Sequence, residues 1–293
     1  MIPKEVLQQI RRIEITTSRM VNDVFCGQYQ SVFKGRGIEF EEVRPYQPGD
    51  EVRTIDWNVT ARLGHPYVKK FVEERELTVL LVMDISGSIY FGTSQKLKRT
   101  LAAHICALLA LAAIRNNDKV GFLAFSDRVE EFIPPKKGLR HILRIIRDAL
   151  YLTGQSKKTD IAMALEYLGK VCKRKSVVFV ISDFLSERDF EKQLAVANKR
   201  HDVVAITLTD PREISIPDIG IVQFEDAETD VTACIDTSSR QIRSEFAEQA
   251  RLVQEGLKKT FERIGIDSIN LRSDLPYNRM LFQFFRMRER RLR

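Results

Sequence analysis

Asp84-Ile85-Ser86-Gly87-Ser88 sets a carboxylate and two hydroxyls on alternate residues, and Gly87 lets the backbone curl so that the three oxygens can face one point. An all-oxygen group without His or Cys suits a hard cation. A set with few charged members that keeps water and an open position suits Mg²⁺ or Mn²⁺ better than a Ca²⁺ cage. Two further oxygen-bearing pairs can join it if the fold allows: Thr159-Asp160, after the loop Gly154-Gln-Ser-Lys-Lys158, and Ser182-Asp183, after the apolar run Ser176–Ile181. Taken singly, Asp84, Ser86 or Ser88 reads as a turn or helix-cap residue. Taken together, each at a junction of strand and helix, Asp84, Ser86, Ser88, Thr159 and Asp183 point to a metal site.

The elements that must position these residues begin at about Thr78. From there, strand-like apolar runs alternate with amphipathic helices, the pattern of a parallel sheet covered on both faces. The strands are expected at 78–83, 119–125, 176–181, 202–208 and 268–271, rich in β-branched residues as strands buried on both sides are. Helices are expected near Leu97–Arg115, Gly138–Leu152, Asp160–Cys172 and Glu187–Lys199, each joining one strand to the next. Short strands around 219–226 and 230–236 form an antiparallel excursion, and helices follow at Arg240–Ile264 and Tyr277–Arg293. In such a sheet, ligands bind beyond the carboxyl ends of the strands, where Asp84 and Asp183 fall.

The chain before Thr78 has a different period. Residues 35–46 and 66–75 alternate apolar and charged side chains, as half-exposed strands do, with Pro48-Gly49-Asp50 as a turn between them. The first twenty residues read as an amphipathic helix. Residues 1–76 are therefore expected to form a helix and β-rich extension, and residues 77–293 the main domain with its C-terminal helices.

Asp84-x-Ser86-x-Ser88, the later Thr159-Asp160 and Asp183 after a buried strand resemble the metal-ion-dependent adhesion site of von Willebrand factor A domains, over roughly residues 78–271. The resemblance implies a Rossmann-like three-layer α/β/α fold. It also implies that Ser86, Ser88 and Thr159 touch the metal, that Asp84 and Asp183 hold it through water, and that a partner's carboxylate takes the sixth position. Lys157-Lys158 stand where that family often has glycine. A second stretch, Arg44-Pro-Tyr46-Gln-Pro-Gly49-Asp50-Glu-Val-Arg53-Thr-Ile-Asp56-Trp57-Asn58-Val-Thr-Ala-Arg62, resembles the signature of the bacterial "domain of unknown function 58" family. That resemblance implies an adaptor or chaperone-like role beside a MoxR-type AAA+ ATPase. In the signature, Trp57 is expected to pack between the extension and the main domain, with Arg44, Arg53, Asp56 and Arg62 pairing around it; direct partner contact is the other reading.

Composition narrows the function classes. With 44% hydrophobic and 30% charged residues over 293 positions, the chain has the make-up of a soluble globular protein. Charges in the first twenty residues leave no signal-peptide core, and the apolar stretch 97–114 is interrupted by Lys98, Arg99 and His104, so a buried helix is expected there rather than a membrane span. Cys26, Cys106, Cys172 and Cys234 form no C-x-x-C pair and read as small core residues of a reducing, cytoplasmic compartment. The net charge of +7, partly in the basic end Arg286–Arg293, admits nucleic acid or an anionic membrane surface as partner, but no nucleic-acid-binding motif accompanies it. Peripheral membrane association stays open.

Enzyme readings find little support. A haloacid-dehalogenase-type phosphatase needs an aspartate where Ser86 stands, no nucleotide loop or nucleophile elbow is present, and the histidines 65, 104, 141 and 201 are scattered. The expected function is thus Mg²⁺- or Mn²⁺-dependent capture of a protein partner, a MoxR-type ATPase or an acidic client. A metal-dependent hydrolase and a basic nucleic-acid or membrane-surface binder are the alternatives.

Overall fold

The computed structural model describes residue 29 and residues 39–72, 76–93 and 97–292. The helix expected over the first twenty residues, and Cys26, lie outside them. The described chain begins with strand β1 (Glu39–Pro45), a short helix α1 (Trp57–Leu63) and strand β2 (Tyr67–Val72), with β1 and β2 paired antiparallel. Helix α1 was not foreseen. Its start is set by Asp56, whose carboxylate accepts from the amides of Asn58 and Val59, and its end by Gly64 at φ 74°.

The main sheet has six strands: β3 (Thr78–Asp84), β4 (Lys119–Phe125), β5 (Val129–Lys136), β6 (Val177–Ser182), β7 (Asp202–Thr209) and, last in the chain, β10 (Asp267–Arg272). The spatial order is β10-β7-β6-β3-β4-β5. Every pairing is parallel except β4 with β5. The expectation of an all-parallel sheet is therefore corrected at one edge. Strand β5, absent from the expected strands, carries Pro134 and Pro135, which a ladder tolerates at an edge position.

Helices α2 (Lys98–Arg115), α3 (Leu139–Tyr151), α4 (Ile161–Val171), α5 (Glu191–Arg200), α6 (Pro211–Ile214), α7 (Arg240–Ile264) and α8 (Tyr277–Leu292) complete the domain. Both α3 and α4 lie between β5 and β6, close to the bounds expected for the helices at Gly138–Leu152 and Asp160–Cys172. Helix α5 starts four residues later than expected, at Glu191, whose amide is taken by the Asp189 side chain. The short strands β8 (Ile221–Glu225) and β9 (Thr232–Asp236) form the antiparallel excursion.

Side chains of β3 alternate between two apolar cores. Val79, Leu81 and Met83 pack with α2, α3 and α8, while Leu80 and Val82 pack with α4, α5 and the end of α7. The result is the three-layer α/β/α arrangement expected from the sequence. Each fully buried Leu, Ile or Phe contributes about 1.5–3 kcal/mol, which is why the central helix α2, apolar around its whole circumference, belongs inside. No helix among the described residues is long and apolar enough to cross a membrane.

Cysteine placement agrees with expectation only in part. Cys106 is buried and Cys172 half-buried, but Cys234 is exposed, because β9 turns hardly any surface toward a core. The basic end of α8 is more than a solvated terminus. Arg288 binds Asp202 and Asp267, and Arg291 adds a second contact to Asp267, fastening the helix to the amino ends of β7 and β10.

Candidate metal centre

Strand β3 pairs with β4 on one side and β6 on the other, so the chain changes direction across the sheet at its carboxyl end. That is the switch point at which open α/β sheets leave a crevice. Asp84 closes β3 there and is fully buried. Its Oδ1 accepts from the Ser86 amide at 2.9 Å, and its Oδ2 accepts from the Ser182 hydroxyl at 2.6 Å, linking the ends of β3 and β6. Burial, together with the negative charge of Asp183, pushes the Asp84 carboxyl up to about 7.

Ser86 heads the 3-10 turn Gly87–Tyr90, and its Oγ lies 3.2 Å from that of Ser88. The Gly87 amide donates to the Lys157 carbonyl at 2.8 Å, which draws the loop before α4 against this turn. Thr159 follows on that loop, nearly buried. Asp160 is spent on capping α4 through the Met163 amide and on an ion pair with Arg188, so its carboxylate is a structural one.

Asp183 follows β6 and is nearly buried. The next residue, Phe184, holds the left-handed conformation (φ 58°) that costs a bulky side chain about 1–2 kcal/mol, offset by its ring packing against Phe190 and Phe261. The Ser182 hydroxyl also accepts the Phe184 amide at 2.9 Å. The chain therefore turns sharply just where it presents Asp183.

Several members of this cluster escaped the sequence reading. Lys98, fully buried at the start of α2, donates to Asp183 Oδ2 at 2.8 Å and to Glu213 Oε1 at 2.6 Å. Burial alone would lower its pKa, but Asp183 and Glu213 hold it above the ordinary lysine value, so it stays charged. Glu228, between β8 and β9, accepts the Thr159 hydroxyl at 2.5 Å; burial raises its carboxyl, and the charge of Asp183 adds to the rise. Asp210, also fully buried, binds the amide and hydroxyl of Thr93, the hydroxyl of Ser273 and the amide of Arg212. Ser182 was visible only as the neighbour of Asp183. Lys98, Glu213, Asp210 and Glu228 carry no local pattern, since each is brought in from a distant element.

The donor set fits a small hard cation. Asp84, Ser86 and Ser88 are joined by direct contacts, Asp84 and Asp183 feel each other's charge, and Thr159 reaches the group through Glu228. Asp84 and Asp183 repel in a buried place while Lys98 is bonded to Asp183 and Glu213, so a divalent ion beside the hydroxyls would relieve the charge at Asp84. Among the described residues, no three His, Cys, Asp or Glu side chains form a metal-holding group, so an ion held here would depend on Ser86, Ser88 and Thr159. Lys157, whose charge would oppose a cation, is paired with Asp230.

The signature residues of the extension behave differently. Arg44 forms a two-pronged pair with Asp50, whose Oδ2 also accepts the Gln47 amide and so closes the turn holding Tyr46 and Gly49. Trp57, expected to pack between the extension and the main domain, is 66% exposed. As the first residue of α1, capped by Asp56, it points outward, and Arg53 and Arg62 are exposed as well.

Comparison with known proteins gives the chain relatives. It is 31% identical over 285 residues to the uncharacterized protein Rv1480 of Mycobacterium tuberculosis, covering 96% of this chain and 89% of the relative. It is 26% identical over 145 residues to the uncharacterized protein YeaD of Bacillus subtilis, covering 50% of this chain and 34% of the relative. Among solved structures, the conserved hypothetical protein BatB of Bacteroides thetaiotaomicron matches with TM-score 0.48 at 16% identity, over 73% of this chain and 99% of that one. A von Willebrand factor type A protein of Catenulispora acidiphila matches with TM-score 0.35 at 10% identity, over 76% and 43%. The family model described as protein of unknown function DUF58 matches residues 42–256, and the chain belongs to that family.

Proposed function

We propose that this chain is a non-catalytic cytoplasmic adaptor that captures an acidic protein partner at the carboxyl edge of its sheet in a Mg²⁺- or Mn²⁺-dependent manner, in the service of a MoxR-type AAA+ ATPase. The observation that carries the reading is the gathering of Asp84, Ser86, Ser88, Thr159 and Asp183 at the switch point of the sheet. The ATPase is drawn from the family resemblance of residues 44–62.

When bound, the cation supplies an electrophilic position for a carboxylate oxygen. The rest falls to the protein. Ser86 and Ser88 offer neutral oxygens, which leave the ion its positive charge toward a partner. Asp84, fixed by Ser182 and the Ser86 amide, orients the loop, and Lys98 holds the Asp183 carboxylate in place with an ion pair. Of the histidines, His141 meets the Val120 carbonyl, His104 lies against Tyr277 and His201 sits at the amino end of β7.

A pull-down with the full chain in Mg²⁺ against EDTA, with the eluate searched for an AAA+ ATPase, tests the partner. Calorimetry tests the ion: Asp84→Ala abolishes Mg²⁺ binding, and Ser86→Ala weakens it about tenfold, as loss of one direct or oriented ligand does. A wild-type titration without heat, with and without the captured partner, sinks the reading.

A further inference from the structure

The connection between β8 and β9 reaches back over the candidate centre and touches it at three places. The Glu228 carboxylate accepts the Thr159 hydroxyl at 2.5 Å. The Ala227 carbonyl lies so close to Gly87 that a Cβ added there would stand 2.3 Å from its oxygen. Asp230 pairs with Lys157. The tip is itself a closed turn: the Asp226 side chain accepts the amides of Glu228 and Thr229 at 2.9 and 2.8 Å, and the Asp230 amide donates to the Asp226 carbonyl.

The strands that carry this tip have little else to hold them. None of the residues of β8 or β9 is buried, and Ile221 is 79% exposed. A two-stranded ribbon without a covered face is marginal in water. Its closed position therefore leans on the tip contacts and on the knot at its base, where Thr237 bonds to Ile219 and Gly220. The ion pair of Lys157 with Asp230 leaves both side chains 58% exposed, and such pairs contribute little. The tip is thus ordered, acidic and weakly fastened.

We infer that the turn Asp226–Asp230 is the centre's own resident ligand, with Glu228 in the place of an incoming carboxylate, and that the external partner is an acidic turn of the same chemistry that must displace it. The inference rests on the reading of the centre as a metal-dependent partner site and names the partner that site selects. Recognition needs one carboxylate for the Thr159 end of the cluster, a second two residues later for Lys157, and a backbone carbonyl narrow enough to lie on Gly87. An extended polyacidic strand lacks that last feature, so the centre prefers a tight acidic turn.

The test uses the full chain and a fluorescein-labelled cyclic peptide of residues 224–232, with binding read by anisotropy in Mg²⁺ and in EDTA. The expected result is weak binding to the wild type and at least tenfold tighter binding to the Glu228→Ala/Asp230→Ala variant in Mg²⁺, lost in EDTA. A peptide carrying Gln for its own glutamate at position 228 does not bind. Hydrogen exchange at the tip amides of the variant rises at least tenfold. Peptide affinity equal in wild type and variant, with the calorimetric Mg²⁺ response of both intact, overturns the resident-ligand inference and leaves the metal reading standing. No Mg²⁺ response in either protein overturns the metal reading, and the inference with it.

Discussion

The two ends of the central sheet are built on opposite charge rules. At the amino end, acids meet cations in near balance: Glu76 with Lys119 and Lys137, and Asp202 and Asp267 with Arg288 and Arg291. At the carboxyl end, Asp84, Asp183, Glu213 and Glu228 crowd together, and among the described residues the one cation bonded to them is Lys98, on Asp183 and Glu213. The first end is a surface fastening whose loss is tolerable. The second concentrates uncompensated charge in a buried crevice, an arrangement that burial penalises unless something binds there. The other end of the same sheet shows the ordinary solution, and the proposed binding role is what would account for the difference.

The contrast can be broken by substitution. Lys98→Met is expected to have the largest effect, about 3–5 kcal/mol by urea denaturation, because it strands Asp183 and Glu213 without their ammonium. A loss below about 1 kcal/mol would show that this end is not under the electrostatic load described. Asp84→Asn comes next and has the opposite sign. The carboxyl of Asp84 is raised from 3.8 to about 7 in the folded chain, so the folded state holds the extra proton between those values, and this group's contribution falls as pH rises through that window. In EDTA at pH 8 the Asn variant is therefore expected to be about 1–3 kcal/mol more stable than wild type, with the difference vanishing below about pH 4. Urea midpoints at several pH values check it.

At the amino end the effects shrink. Arg288→Met removes contacts to Asp202 and Asp267 and is expected to cost about 1–2 kcal/mol, independent of Mg²⁺. Glu76→Gln has the smallest effect. The hydrogen bond from Lys119, then that from Lys137, holds the Glu76 carboxyl down to about 2, so its contribution is complete above the ordinary value of 4.5 and is lost as pH falls toward 2. The variant loses part of that acid dependence, seen in the slope of acid unfolding, and its small difference from wild type is present at neutral pH and closes as pH falls toward 2.

How much was legible follows from the range of each signal. The buried parallel strands announce themselves as unbroken apolar runs, and Lys119–Phe125 and Arg240–Ile264 have the expected bounds. Strand β5 hid behind two prolines, and α1 behind a motif that was read for its packing and pairing side chains. Asp84, Ser86 and Ser88 were visible because their geometry is local. Lys98 was read only as a charge interrupting an apolar helix, although its ammonium meets Asp183, 85 positions away in sequence, and Glu213, 115 away. Glu228 was hidden for the same reason, 69 residues from Thr159. Trp57 shows the converse, since a large aromatic in a dense motif suggested burial and the helix cap beside it turned the ring outward.

Asp210 binds Thr93 from the segment before α2, Arg212 at the head of α6, and Ser273 between β10 and α8. One carboxylate thus rivets three crossings that lie far apart along the polypeptide. Any displacement of the chain leaving β3 must either drag the approach to the terminal helix with it or tear this rivet, so the loop that opens the crevice and the last helix of the molecule share one mechanical anchor.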